Sequence, residues 1–168
     1  MKNTILIVDD QELIRDLLED ALKRERFNVL SAFSAEQALS ILETHPVDVV
    51  ISDEVMPGMA GSDFLAIVRK KHPDTIRMIL TGHARIESAI KAINEGEVYR
   101  FFTKPCNVFD LIVSIKQGLN QKELERENRR LLRLVKQKTA AEHSLKLKHP
   151  KLFEVKRDAG GAVIIDDD

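Results

Sequence analysis

Ile5-Leu6-Ile7-Val8-Asp9-Asp10 is the stretch on which the fold turns. Four apolar residues run without interruption, and three of them are β-branched. An alternating pattern would mark a strand with one wet face; a continuous run marks one covered on both faces. The run ends on two adjacent carboxylates, so a buried strand delivers charge at its carboxyl end.

Working outward, the same unit recurs. Leu13, Ile14, Leu17, Leu18, Ala21 and Leu22 follow at helical spacing and form the expected apolar face of a first helix. Phe27 to Leu30 reads as a second strand. Ser34 is the expected N-cap of the next helix, with Gln37 three residues on completing a capping box. Val47 to Ser52 is a third strand, followed by the turn Met56-Pro57-Gly58. Ser62 to Lys71 is helical and stops at His72-Pro73. Ile76 to Leu80 is a fourth strand, and Ala84 to Asn94 a helix stopped near Gly96. Val98 to Phe102 is a fifth strand, with a fifth helix starting near Val108. Five strand–helix units in succession imply a doubly wound parallel α/β sheet with helices on both faces, because parallel strands need crossover connections.

Composition supports one core domain with an appendage. The chain has 168 residues, 43% apolar and 32% charged, which excludes wholesale disorder. The net charge of −1 gives no global basic surface for nucleic acid. A single cysteine, Cys106, excludes an internal disulfide and a Cys-rich zinc site. No apolar run approaches a membrane span, and acidic residues come too early for a signal peptide, so a cytoplasmic protein is expected. Charge is nonetheless segregated: residues 1–118 carry a net −4, residues 119–151 a net +6 and residues 152–168 a net −3. Boundaries follow: a domain over 1–118, a helical extension over 119–149, and a short β-hairpin with an acidic tail over 150–168.

In open parallel sheets, sites form beyond the carboxyl ends of the strands. Asp9 and Asp10 end the first strand, Asp53 follows the third, Thr81 the fourth and Lys104-Pro105 the fifth. Taken singly, each has an ordinary reading as turn or loop chemistry. Together they are a set. Three converging carboxylates repel one another unless a cation compensates, and hard oxygens in that number suit Mg²⁺. A lysine and a threonine opposite can hold phosphoryl oxygens. The combination suits phosphoryl transfer onto an aspartate.

ILIVDDQELIRDLLEDAL, DVVISDEVMPGMAGSDFL, ILTGH and FFTKP, in order from Lys2 to about Gly118, resemble the receiver domain of two-component response regulators. The resemblance implies a flavodoxin-like (βα)5 fold with strand order 2-1-3-4-5. It makes Asp53 the phosphoacceptor, charged from a phosphohistidine on a sensor histidine kinase or phosphotransfer protein. Asp9, Asp10, Asp53 and the Val55 backbone carbonyl would hold Mg²⁺. Thr81 and Lys104 would grip the phosphoryl group, and Phe101 would turn inward with Thr81, although a plain core role for Phe101 stands beside that. Lys104-Pro105 is where the family often has a cis peptide. The protein would be a phosphoacceptor with at most slow autodephosphorylation rather than an enzyme. Three positions depart from or tune the pattern. Ala60 stands where the family often has Asp before Gly61, and Val55 and His83 flank the path of hydrolytic water.

Beyond Asp110 no proline interrupts a long helix. Asn128 and Val135 at a, with Leu124 and Leu131 at d, give about two heptads, which points to a homodimer. A single helix lying on a neighbouring domain is the alternative. The basic run Arg126 to Lys138 has no helix-turn-helix after it and no interleaved aromatics, so it reads as a solvated face and not as a nucleic-acid site. Leu152 to Ile165 reads as the hairpin. The function expected is a phosphorylation-activated regulator that switches its fourth helix and fifth strand for dimerisation or partner docking. The rivals are a receiver cut from a longer regulator with an enzymatic output, and a non-phosphorylated scaffold. A dinucleotide enzyme lacks its Gly-x-Gly-x-x-Gly after the first strand.

Overall fold

The structure, a computed structural model, describes residues 2–82, 85–96, 98–154 and 159–163. Among the described residues five strands alternate with five α-helices: β1 (Thr4–Val8), α1 (Glu12–Arg24), β2 (Asn28–Ala32), α2 (Ala35–Thr44), β3 (Val49–Asp53), α3 (Gly61–Lys71), β4 (Ile76–Thr81), α4 (Ile86–Asn94), β5 (Arg100–Thr103) and α5 (Val108–Lys148). The sheet is wholly parallel, in the order β2-β1-β3-β4-β5. This is the doubly wound flavodoxin-like fold expected.

The continuous apolar strands are explained by two cores, one on each face. Leu6, Val8, Val50 and Ile79 point toward α2, α3 and α4, where Phe64, Leu65 and Val68 meet them. Ile5, Ile7, Val49, Ile51, Met78 and Leu80 point the other way, onto Leu18 and Leu22 of α1 and Leu111 and Ile115 of α5. Alternate residues of one strand thus serve opposite cores.

Several local expectations need correction. On α1 the seam is narrower than the apolar spacing suggested. Leu18 and Leu22 are buried, whereas Leu13 and Leu17 are 77% and 52% exposed, because Leu17 lies about 100° and Leu13 about 140° around the helix from Leu18. The capping box at α2 is offset by one residue. Ser34 accepts from the Gln37 N–H at 3.1 Å, but the Gln37 side chain accepts from Phe33, not from Ser34. β2 starts at Asn28 because the Phe27 N–H still bonds the Leu22 carbonyl. β3 is displaced toward Asp53, as Val47 and Asp48 commit their polar groups to Thr75 and Thr4. β5 begins at Arg100 because the Val98 N–H turns back to Ala92 of α4. α4 is described from Ile86, and Gly96 after it takes φ +72°, the left-handed conformation that ends helices. Leu152 and Phe153, expected in a hairpin, lie in a 3-10 turn over Pro150–Phe153, entered by a proline preset for it. The remainder of that hairpin falls largely on 155–158 and 164–168, outside the described residues.

The chain divides into two compact units, Met1–Lys122 and Glu123–Asp168. Within the first, Gly118 lets α5 approach the sheet: an added β-carbon would lie 3.3 Å from Ile76 and 3.4 Å from Tyr99. Lys122 then pairs with Asp48 at 3.3 Å. Within the second, Leu124, Leu131, Leu132, Leu134 and Val135 are all exposed, and Lys146 stands 5.6 Å from the Phe153 ring. Among the described residues no helix is long and apolar enough to cross a membrane.

Candidate phosphoacceptor site

The carboxyl ends of β1 and β3, adjacent in the sheet, bring Asp9, Asp10 and Asp53 together. One oxygen from each lies within 4.8 Å of the others. Asp9 is wholly buried, Asp53 nearly so, and Asp10 faces solvent. Two buried carboxylates this close demand compensation, and the residue directly after β5 supplies it. Lys104 Nζ lies 3.0 Å from Asp9 Oδ2 and 3.1 Å from Asp53 Oδ2. Main-chain donors complete the shell: the Gln11 N–H reaches Asp9 Oδ1 at 2.9 Å and the Val55 N–H reaches Asp53 Oδ1 at 3.3 Å.

Burial pushes the Asp53 carboxyl above the usual carboxylate range, against the opposing pull of Lys104. Burial alone would lower Lys104, yet its bonds to Asp9 and Asp53 outweigh that and raise it. The site is therefore poised on one ammonium between two carboxylates. All three acids are hard oxygen donors and one is open to solvent, so the donor set fits Mg²⁺, which keeps several waters.

Thr81 is buried at the end of β4, and its hydroxyl donates to the Gly82 carbonyl at 3.1 Å. Its own carbonyl accepts the Lys104 N–H at 2.8 Å, so the ends of β4 and β5 are tied together. The Lys104-Pro105 peptide is cis. Phe101 is half-buried on the α2–α4 side of the sheet, and Phe102 packs on the opposite side. Val55 is 57% exposed beside Asp53. His83 lies outside the described residues.

Residues 5–116 match the response regulator receiver domain family. The chain belongs to that family. This receiver is 34% identical over 128 residues to the hydrogenase transcriptional regulatory protein HoxA of Cupriavidus necator, covering 76% of this chain and 26% of that protein. It is 40% identical over 126 residues to the putative response regulator NtrX-like of Rickettsia felis, covering 74% of this chain and 26% of that protein. Among solved structures, NtrX from Brucella abortus superposes with a TM-score of 0.72 at 33% identity, over 78% of this chain and 30% of that one. The chain spans about a quarter of the length of these curated relatives, 26% in both cases.

Three contributors to the receiver's site escape sequence reading. Arg15 of α1 donates to the Asp9 carbonyl at 2.7 Å, holding the β1–α1 loop. Gly61 opens α3 directly against the Asp53 carbonyl. Glu54, buried despite its charge, accepts from both the N–H and the hydroxyl of Ser62 at 2.8 Å. Only Gly61 left a signal, a glycine where a helix begins.

Proposed function

We propose that this receiver accepts a phosphoryl group on Asp53 from a phosphohistidine of a sensor histidine kinase or phosphotransfer protein in the cytoplasm. A carboxylate oxygen of Asp53 forms the new bond to phosphorus as the phosphorus–nitrogen bond breaks, and the imidazole departs. Asp9, Asp10, Asp53 and the Val55 carbonyl would hold Mg²⁺, whose charge would neutralise phosphoryl oxygens. Lys104 exchanges part of its pairing with Asp53 for the incoming group. Thr81 leaves the Gly82 carbonyl to donate to the same group, and Phe101 follows it inward. The change spreads through α4 and β5, the two-state element that a partner reads. The observation that carries this reading is the Lys104 ammonium spanning Asp9 and Asp53.

In this reading residues 1–118 are the phosphoaccepting module, 119–149 a helical extension and 150–168 a tail. Lys122 carries the first turn of the extension back onto the module. The exposed Leu124, Leu131 and Val135, with Asn128, support a homodimer through that extension. A second reading, a receiver governing an output domain, is favoured by the curated relatives, of which this chain spans 26%.

The test is incubation with a small-molecule phosphodonor and Mg²⁺, followed by intact mass and light scattering. One phosphoryl adduct on the wild type and none on Asp53→Asn supports the assignment. An adduct retained in Asp53→Asn overturns it. A mass that doubles only on phosphorylation places control of dimerisation in the receiver, and a constant dimer places it in the helix.

A further inference from the structure

We infer that Glu54 is a positioning residue for the phosphoacceptor site, an inference that rests on the reading just proposed. α3 begins after Ala60, whose side chain has no oxygen with which to cap a helix. Helices ordinarily fill that place with Ser, Thr, Asp or Asn, whose oxygen accepts from the second or third N–H. Here the acceptor comes from eight residues before Ser62. Glu54 Oε2 takes the Ser62 N–H, which belongs to the second residue of α3, and Oε1 takes the Ser62 hydroxyl, both at 2.8 Å.

A cap sent from that distance also fastens a loop. The Glu54 N–H donates to the Leu80 carbonyl at 2.9 Å, and the Glu54 carbonyl accepts from the Gly61 N–H at 3.0 Å. With its carboxylate on Ser62, residue 54 is held to β4 on one side and to α3 on the other. Its chain neighbours are Asp53 and Val55, the residues that offer a carboxylate and a main-chain carbonyl to the same site. A local cap at residue 60 with no carboxylate at 54 would stabilise α3 equally well, while leaving residue 54 with its main-chain bonds to Leu80 and Gly61 alone. The remote cap therefore does something a local one does not: it sets the backbone on both sides of residue 54, and with it the angle at which Asp53 and the Val55 carbonyl are presented.

Restoring the local cap separates the two roles. In an Ala60→Asp background α3 keeps an N-cap whatever stands at 54. Mg²⁺ affinity, read from amide chemical shifts, and melting temperature are compared for A60D, E54A/A60D and E54Q/A60D. E54A/A60D is expected to bind Mg²⁺ roughly tenfold more weakly than A60D, the low end for outer-shell partners of metal ligands, with a melting temperature close to it. Glu54→Gln keeps two contacts without the charge, its amide oxygen accepting the Ser62 N–H and its NH2 donating to the Ser62 hydroxyl oxygen, so E54Q/A60D is expected to return to within about twofold of A60D. Ser62→Ala, which removes one bond only, moves the affinity in the same direction by less. Equal affinity in A60D and E54A/A60D overturns the inference, and so does E54Q/A60D matching E54A/A60D, since the effect would then be one of charge. A wild-type chain indifferent to Mg²⁺ overturns the phosphoacceptor reading and this inference with it.

Discussion

A β-carbon added to Gly61 would fall 2.0 Å from the Asp53 carbonyl oxygen, inside any tolerable contact. Both partners are backbone, so no flexible side chain can yield. Gly61→Ala is expected to push α3 away from β3 at a cost of about 1–3 kcal/mol, typical of an overpacked core. Because the displaced atoms belong to Asp53 and Glu54, phosphorylation should slow as well. Thermal denaturation checks the first effect, and an unchanged melting temperature would show that α3 shifts freely.

Lys104 stabilises two carboxylates that water reaches poorly. Lys104→Ala is expected to cost about 2 kcal/mol, less than the 3–5 of a fully buried pair because Lys104 keeps about a quarter of its side-chain exposure. The pair raises the lysine pKa above its ordinary 10.5, so its contribution is present at neutral pH. On the alkaline side it is lost as pH climbs through that raised value. Added Mg²⁺ should recover more stability in the variant than in the wild type, and denaturant titration with and without the ion measures both.

Asp53→Asn is expected to melt higher than the wild type in Mg²⁺-free buffer at pH 7. Burial holds the Asp53 carboxyl above its unfolded value, so its ionised form opposes folding. That penalty is absent below about pH 4, where the carboxyl is protonated in both states, and grows as pH rises through the folded pKa. The gain from Asn should therefore vanish on acidification. A gain that persists unchanged at pH 3 would point away from the charge as its source.

Cys106 should be a slow nucleophile. Burial, with Asp110 adding to it, pushes its thiol up to about 11. Roughly one molecule in a thousand is then thiolate at pH 8, and the thiolate is the reactive form. Alkylation in the folded protein should accelerate about tenfold per pH unit between 8 and 10. Rapid modification at pH 7 would contradict the burial.

The parts of this fold that could be read along the chain are those whose cause is local. Ile5 to Val8 announces a strand buried on both faces, Gly96 ends α4 through its own φ, and the acids and lysine stand at the strand ends wherever the strands go. Features caused at a distance could not be read. Nothing near Glu54 indicates that its carboxylate caps a helix beginning at Gly61, because Ala60 removes the usual cue. Arg15 shows only a helical position, and its bond to the Asp9 carbonyl needs the loop's path. Gly118 looks like a weak point in a helix until Ile76 and Tyr99 are placed against it. Leu152 and Phe153 have strand-like chemistry, but Pro150 sets their backbone first.

The brevity of the two outer strands has a consequence for how this protein survives at high concentration. An unpaired strand edge is a template for other chains, and long, flat, apolar edges seed aggregation. β2 offers five residues, with Asn28 and Ser31 among them, and β5 offers four, opened by a charged Arg100. Where β5 would lengthen, Pro105 has no N–H to give a visiting strand. The lysine that balances the carboxylates is thus followed at once by the residue that closes the sheet to intruders.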